Sequence, residues 1–365
     1  MTDIMTKDAN NPLRILVMAG GTGGHVFPAL AVADELRSRG VEVSWLGSRR
    51  GLEAEIVPRA GYPIDYITIS GLRGKGMLSW LVAPVRLFMA LAQGWSVMRR
   101  RKPSAVLGMG GFVSGPGGLA AWLTRHPLLI HEQNARAGLT NRLLAPLAKC
   151  VMEAFPGSIK HAGKVLHTGN PLRSDFINAA ALGDQQHEGV RRLLVVGGSL
   201  GAARFNEVVP AALASIPAEM RPEVWHQAGK RNIDEAIAAY QEASIEARVV
   251  PFIEDMAEAY RWADLVLCRA GAMTIAELSA IGVASILVPF PFAVDDHQTA
   301  NARYLSDNNA AVLLPQSQFT AERLRDLLKE ATPEALHKMA EAARRMALLN
   351  ATQRVADQCM EVARG

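Results

Sequence analysis

The chain has 365 residues, 49% of them hydrophobic and 20% charged, the composition of a globular protein too long for one ordinary core, so two domains are expected. A formal net charge of +4 is too small a surplus to indicate nucleic acid, though it suits an anionic lipid surface or a phosphorylated substrate. Cys150, Cys268 and Cys359 show no metal-ligand spacing and read as reduced core residues of a cytosolic protein, while residues 1–11 lack the apolar run of a signal peptide.

In chain order, residues 13–19 (LRILVMA) read as a strand that runs into Gly20-Gly21-Thr22-Gly23-Gly24-His25 and then a helix over 28–39, with Pro28 in its first turn. Residues 41–46 form the next strand, 51–60 a helix and 62–69 a further strand-like run. A basic glycine loop, 71–76, leads to the apolar stretch 77–95, which Pro84 and Arg86 interrupt. That stretch is too short and too charged to span a bilayer. It reads either as a half-buried helix or as a peripheral membrane patch, with Leu78, Trp80, Leu81, Phe88 and Trp95 among Arg73, Lys75 and Arg86. Strands at 105–107, 128–130 and 165–167 lead into the glycine loop 108–118, His131-Glu132-Gln133-Asn134, and Thr168-Gly169-Asn170-Pro171-Leu172-Arg173. The pattern restarts at 192–196 with Gly197-Gly198-Ser199-Leu200-Gly201 and a helix over 203–215. Strands follow at 223–226, 248–250, 265–267, 285–288 and 311–314, and residues 320–365 are almost wholly helical. Strands alternating with helices indicate mostly parallel sheets covered on both faces. The expected domains are 1–170 and 171–349, with the last helix, about 350–365, returning to the first domain.

Ligands of such sheets sit beyond the carboxyl ends of the strands, where all these loops lie. The spacing Gly-Gly-Thr-Gly-Gly-His departs from the dinucleotide fingerprint, and Leu46-Gly47-Ser48-Arg49 offers no acid for a ribose, which disfavours a nicotinamide cofactor. His25 is either a general base or a histidine packed at a helix start. Ser199 suits a helix cap or a phosphate oxygen. Arg173 is a ligand of a phosphate or a base edge, or a surface arginine. A strand, the turn 269–271 and a helix over 272–281 aim backbone N–H groups outward, as a phosphate requires. Within that helix Thr274 and Glu277 have the spacing of a capping box, against which stands a sugar-binding role for Glu277. Asp295-Asp296-His297-Gln298 reads as a capped helix start, or as a segment that turns Gln298 to a sugar. It lacks the ligand set of a metal site. No cofactor and no metal are expected.

Taken together, GGTGGHVFP, GMGGFVSGP, HEQN, GNPLR, GGSLGA, CRAGAMTIAE and DDHQ-x-x-NA closely resemble the bacterial cell-wall glycosyltransferases that make lipid II, in order from about residue 14 to 305. The resemblance implies an α/β GT-B fold: two doubly wound, Rossmann-like domains facing a central cleft. It implies inverting transfer of N-acetylglucosamine from UDP-N-acetylglucosamine to undecaprenyl-pyrophosphoryl-MurNAc-pentapeptide (lipid I). It also implies a peripheral station on the cytoplasmic face of the inner membrane, in contact with anionic lipid and with other cell-wall synthesis and division proteins, and no nucleic acid partner. Carried over by position, Thr22, Gly23 and Gly24 lie by the donor sugar and acceptor diphosphate, and Asn134 contacts the donor sugar. Arg173 and Ser199 are donor contacts, and Ile253 offers its backbone to uracil. Ala272, Met273, Thr274, Ile275, Ala276 and Glu277 bind diphosphate and ribose, and Gln298 binds sugar hydroxyls. His25 is the first candidate for the base and Glu132 the second. Arg73, Lys75, Leu78, Trp80 and Leu81 are the candidate membrane patch. The family often has tyrosine where Phe112 stands, and the match weakens after residue 320. A UDP-N-acetylglucosamine 2-epimerase on the same fold and a non-catalytic nucleotide-sugar scaffold are the rival readings.

Overall fold

The computed structural model describes residues 12–69, 82–160, 163–183, 191–198 and 201–365. The chain divides into two compact units, one of residues 1–133, 137–171 and 350–365, the other of residues 134–136 and 172–349.

The first unit is built on a seven-stranded parallel sheet. Its strands are β1 (Arg14–Met18), β2 (Glu42–Gly47), β3 (Ile64–Tyr66), β4 (Ala105–Gly108), β5 (Leu128–Glu132), β6 (Cys150–Glu153) and β7 (Val165–His167), in the spatial order β3-β2-β1-β4-β5-β6-β7. The central strands are continuous apolar runs because both faces are covered: Ile15, Leu16, Val17 and Met18 of β1 are all 0% exposed. Burying each such side chain contributes roughly 1.5–3 kcal/mol, so a charge at Val17 would undo the sheet at its centre. On one face Ile15 and Val17 pack against α1 (Gly23–Ser38) and α14 (Ala351–Arg364), through Val26, Ala29, Ala33, Val355, Ala356 and Cys359. On the other, Leu16 and Met18 meet α3 (Ala83–Arg101), α4 (Ser114–Leu123) and α5 (Leu139–Leu144). The short α2 (Glu53–Arg59) follows β2. Strand β6 has no counterpart in the sequence reading. Its four residues, CVME, follow a helical run directly, and pairing with β5 and β7, not periodicity, makes them a strand.

The second unit has a six-stranded parallel sheet in the order β10-β9-β8-β11-β12-β13, from β8 (Arg192–Val196), β9 (Glu223–Gln227), β10 (Arg248–Val250), β11 (Leu265–Cys268), β12 (Ala284–Leu287) and β13 (Val312–Leu313). Its helices are α6 (Ser174–Ala181), α7 (Ala203–Ala214), α8 (Ile233–Glu242), α9 (Met256–Trp262), α10 (Ala272–Ile281), α11 (His297–Ser306), α12 (Ala321–Glu330) and α13 (Pro333–Arg345). Phe205 of α7 and Phe319 meet edge-on at 5.2 Å in the core beneath this sheet. In both sheets the first strand of the unit, β1 or β8, lies inside the sheet, so the glycine loop after it opens next to the strand order's reversal, where such folds bind ligands.

Candidate functional site

In the first unit two glycine loops form one surface. The end of β1 is pinned by the indole Nε1 of Trp45, which donates to Ala19 O at 2.9 Å. Helix α1 then begins at Gly23, five residues earlier than the position of Pro28 suggests. Pro28 therefore lies inside the helix, where it brings no N–H to the carbonyl of Gly24. The early start sets Thr22 as the N-cap residue and puts His25 in the first turn, with Thr22 Oγ1 3.4 Å from His25 Nδ1. The second loop closes on the first. Gly111, at φ +84°, lies so close to Gly20 O that a Cβ there would collide with it. Gly110, at φ +97°, lies against the His25 ring, and a Cβ on it would stand 2.5 Å from Cδ2 and 2.9 Å from Nε2. Only glycine satisfies both the backbone angle and the close approach. Ser114 locks the arrangement by donating to Gly110 O at 2.8 Å and Met18 O at 3.2 Å.

The HEQN run divides by role. His131 is fully buried, its Nε2 2.9 Å from Gly169 O and its Nδ1 3.2 Å from Gln133 Nε2, and burial pushes its pKa down to about 4. Gln133 also donates to Met109 O at 2.9 Å, and Asn170 Nδ2 donates to Gln133 O at 3.1 Å. Glu132 is 2% exposed, and its Oε2 accepts from Gly138 N at 3.1 Å and Asn141 Nδ2 at 2.8 Å. Its carboxylate thus holds the turn that follows β5. Asn134 leaves the first unit: residues 134–136 pack with the second. There Asn301, fully buried, gathers three groups. Its Nδ2 donates to Asn134 Oδ1 at 3.3 Å and to Ala270 O at 3.2 Å, and its Oδ1 accepts from Ala135 N at 2.8 Å. Arg136 Nη1 donates to Asp295 O at 2.8 Å.

The turn between β11 and α10 opens a helix start of the kind that suits an anion. Gly271 is the N-cap residue, in extended conformation and with no side-chain cap. The first intrahelical bond runs from Ile275 N to Gly271 O at 3.0 Å. The N–H groups of Met273 and Thr274 consequently have no acceptor inside the helix, and the helix dipole adds positive potential there. The capping box is not formed. Thr274 is the third helical residue, not the cap, and its hydroxyl faces Tyr260. Glu277 is left in a half-buried cluster with Arg173, Asp175 and Tyr260. Desolvation pushes its pKa up to about 8, against the opposing pull of the Arg173 charge and the Tyr260 hydrogen bond. Arg173 pairs with Asp175 at 3.3 Å and lies 5.2 Å from the Phe176 ring.

Two further loops frame this turn. Arg269 donates to Val288 O at 3.1 Å and Pro289 O at 3.3 Å, tying it to the segment before α11. There Asp295 and Asp296 both adopt left-handed backbone, at φ 53° and 52°, and Asp296, at the N-cap position, makes no side-chain cap, so the capped-start reading fails at Asp296. The strained pair instead brings Gln298 back under its own loop, where Oε1 accepts from Phe290 N at 2.8 Å. Ile253 is buried in the loop before α9, which Asp255 caps by accepting from Glu258 N at 2.9 Å. In the glycine loop after β8, Gln227 Nε2 donates to Gly198 O at 3.1 Å. Ser199 lies outside the described residues, as do Arg73, Lys75, Leu78, Trp80 and Leu81. In sum, Thr22, Gly23, Gly24 and His25 lie together in the first unit. In the second, Asn301 ties Asn134 to Ala270, in the turn that leads into Ala272, Met273, Thr274, Ile275, Ala276 and Glu277 of α10. Sequence reasoning gave no role to Asn301 or Glu53, whose polar side chains left no periodic signal.

Comparison with known proteins adds to this geometry. The Glycosyltransferase family 28 N-terminal domain matches residues 15–153, and the Glycosyltransferase family 28 C-terminal domain matches residues 192–358. A protein of Nitrosococcus oceani named UDP-N-acetylglucosamine–N-acetylmuramyl-(pentapeptide) pyrophosphoryl-undecaprenol N-acetylglucosamine transferase is 57% identical over 97% of this chain and 99% of its own length. One of the same name from Azotobacter vinelandii is 56% identical over 96% and 99%. The crystal structure of Acinetobacter baumannii MurG is 42% identical and superposes with a TM-score of 0.82, covering 96% of this chain and all of that one. A UDP-N-acetylglucosamine 2-epimerase superposes at 0.66 with 13% identity over 96% of each chain, a likeness of fold alone.

Proposed function

The chain belongs to glycosyltransferase family 28, with the GT-B pair of parallel sheets, and from that premise we propose that it moves N-acetylglucosamine from UDP-N-acetylglucosamine to undecaprenyl-pyrophosphoryl-MurNAc-pentapeptide, making lipid II. The observation that carries the reading is identity above half, over nearly the full length, to transferases of that name. The open start of α10 with a carboxyl group one turn on supports it, as a UDP site requires.

In this reaction the acceptor hydroxyl oxygen attacks the anomeric carbon from the face opposite UDP. The new C–O bond forms as the bond from that carbon to the diphosphate breaks. The bonding pair leaves with UDP, and the hydroxyl proton passes to His25. Thr22 Oγ1 beside Nδ1 orients the ring, and a well-placed base contributes roughly 10²–10⁴-fold. The leaving diphosphate gathers charge, which the N–H groups at Met273 and Thr274 and the Ser199 hydroxyl stabilise. One such donor is worth on the order of 10²–10³-fold when it acts in the transition state. Glu277 holds the ribose hydroxyls and Arg173 the donor, Ile253 offers its backbone to uracil, and Asn134 and Gln298 face the sugar.

The acceptor's lipid chain calls for a peripheral membrane station at the cytoplasmic face of the inner membrane. Among the described residues no helix is long and apolar enough to cross a bilayer. The start of α3 exposes Val85, Leu87, Phe88 and Met89, with Phe88 72% exposed, around Arg86. An apolar face that carries a cation suits the interface of an anionic membrane. Leu87→Glu with Phe88→Glu should abolish binding to anionic vesicles; unchanged sedimentation with vesicles would remove this surface from the reading.

UDP release from UDP-N-acetylglucosamine, with and without a lipid I analogue, tests the whole reading. Release that depends on the acceptor supports it. Consumption of donor alone would indicate an epimerase, and donor binding without release under either condition a scaffold.

A further inference from the structure

The first unit contains an acid that neither the glycine motifs nor the reaction accounts for. Glu53 is the first residue of α2, is 0% exposed, and bridges two loops that follow different strands. Its Oε2 accepts from Gly21 N at 2.9 Å, in the loop after β1. Its Oε1 accepts from Ser48 N at 2.8 Å and Ser48 Oγ at 2.7 Å, in the loop after β2. Among the described residues these partners are dipoles, not a cation. Three glycines make room for the carboxylate. A Cβ on Gly20 would stand 2.5 Å from Oε1, one on Gly47 would stand 2.8 Å from Cγ, and one on Gly51 would overlap both oxygens. Gly21 itself takes φ +94°, a conformation that a bond from its N–H holds in place.

We propose that Glu53 is a positioning residue of the transfer reaction: from behind, it fixes the turn at Gly21 and thereby the placement of Thr22, Gly23, Gly24 and His25. This rests on the reaction proposed above. Glu53 touches no substrate. Its carboxyl group is turned inward to the protein's own backbone, in space that side chains on Gly20, Gly47 or Gly51 would fill.

Glu53→Gln is the direct probe, because it keeps the size and removes one acceptor. Whichever way the amide lies, its NH2 opposes the N–H of Gly21 or of Ser48. With a misplaced base and acceptor loop, kcat should fall on the order of tenfold to a hundredfold. The KM for a lipid I analogue should rise, and more than the KM for UDP-N-acetylglucosamine. Ser48→Ala, which removes a single bond, should show the same split more weakly. Amide hydrogen exchange should quicken in peptides covering 19–25 and 47–53 and stay constant elsewhere. A fold-only role would lower the folded fraction and leave both KM values unchanged, and that result overturns the proposal. So does unchanged exchange at Gly21. If the wild-type chain transfers no sugar, the reaction proposed above fails, and the exchange experiment still decides whether Glu53 holds the turn.

Discussion

The buried acids of the two units are used in opposite ways. In the first unit Glu53, Glu132 and Glu153 are 0%, 2% and 5% exposed, and each takes hydrogen bonds from backbone N–H groups. Glu153 alone accepts from Gly157 N at 2.8 Å and Ser158 N at 3.0 Å. In the second unit Glu277 stands among side chains: desolvation, with the nearby Asp175 charge, outweighs the help of Arg173 and Tyr260 and pushes its pKa up to about 8. A carboxylate supplied with N–H donors is part of the frame. One that burial leaves short of donors gains from a ligand that brings hydroxyl groups. Under the proposed reading, the backbone bonds of Glu132 assign it to the frame and leave His25 as the candidate base.

Replacing His25 by alanine should therefore have the largest effect, a loss in kcat of roughly 10²–10⁴-fold with UDP affinity unchanged by calorimetry. An equal loss in both would take His25 out of the base's role. Above about pH 8, where Glu277 is ionised, Glu277→Gln should weaken UDP binding by on the order of tenfold to a hundredfold, the worth of hydrogen bonds to a charged group, with little change in kcat at saturating donor. Unchanged affinity would place Glu277 with the framework acids.

The pH dependence sharpens the same point. Because Glu277 keeps its proton up to about pH 8, wild-type UDP affinity should rise between about pH 6.5 and 9, by up to tenfold per unit below the pKa. The Glu277→Gln variant should show no such rise. The raised pKa also sets a sign for stability. Between the ordinary value of 4.5 and about 8 the folded chain holds a proton that the unfolded chain has released, so the second unit loses stability as pH climbs through that window. The smallest effect belongs to the framework. Glu153→Gln should lower stability by about 1–3 kcal/mol, read as a drop in melting temperature of a few degrees per kcal/mol, with kcat per folded molecule unchanged.

Much of this organisation is legible in the residues. Apolar runs such as 13–19 and 265–267 announce buried parallel strands, and glycines after them announce loops that approach a ligand. Other features are not. Strand β6 is four residues long and is defined only by its neighbours. Helix α1 starts at Gly23 because Gly21 turns the chain and Thr22 O accepts from His25 N and Val26 N. Pro28, the local signal for a start, is overruled by that turn. The spacing of Thr274 and Glu277 pointed to a capping box, yet Gly271 takes the cap position and frees Glu277 for the cluster with Arg173 and Tyr260. Asn301 and Glu53 left no trace in periodicity, since each acts through partners at least 31 residues away or across a loop: Asn134, Ala135 and Ala270 for one, Gly21 and Ser48 for the other.

The sequence by itself determined the strands, the glycine turns after them and, through motif resemblance, the chemistry. These depend on local hydrophobic runs and on backbone angles that glycine alone tolerates, which are readable residue by residue. Tertiary structure decided which acids are held by backbone N–H groups and which stands among side chains. Whether a carboxylate is satisfied depends on N–H groups brought to it by distant loops and on the water removed around it, and neither is written in the residues beside it.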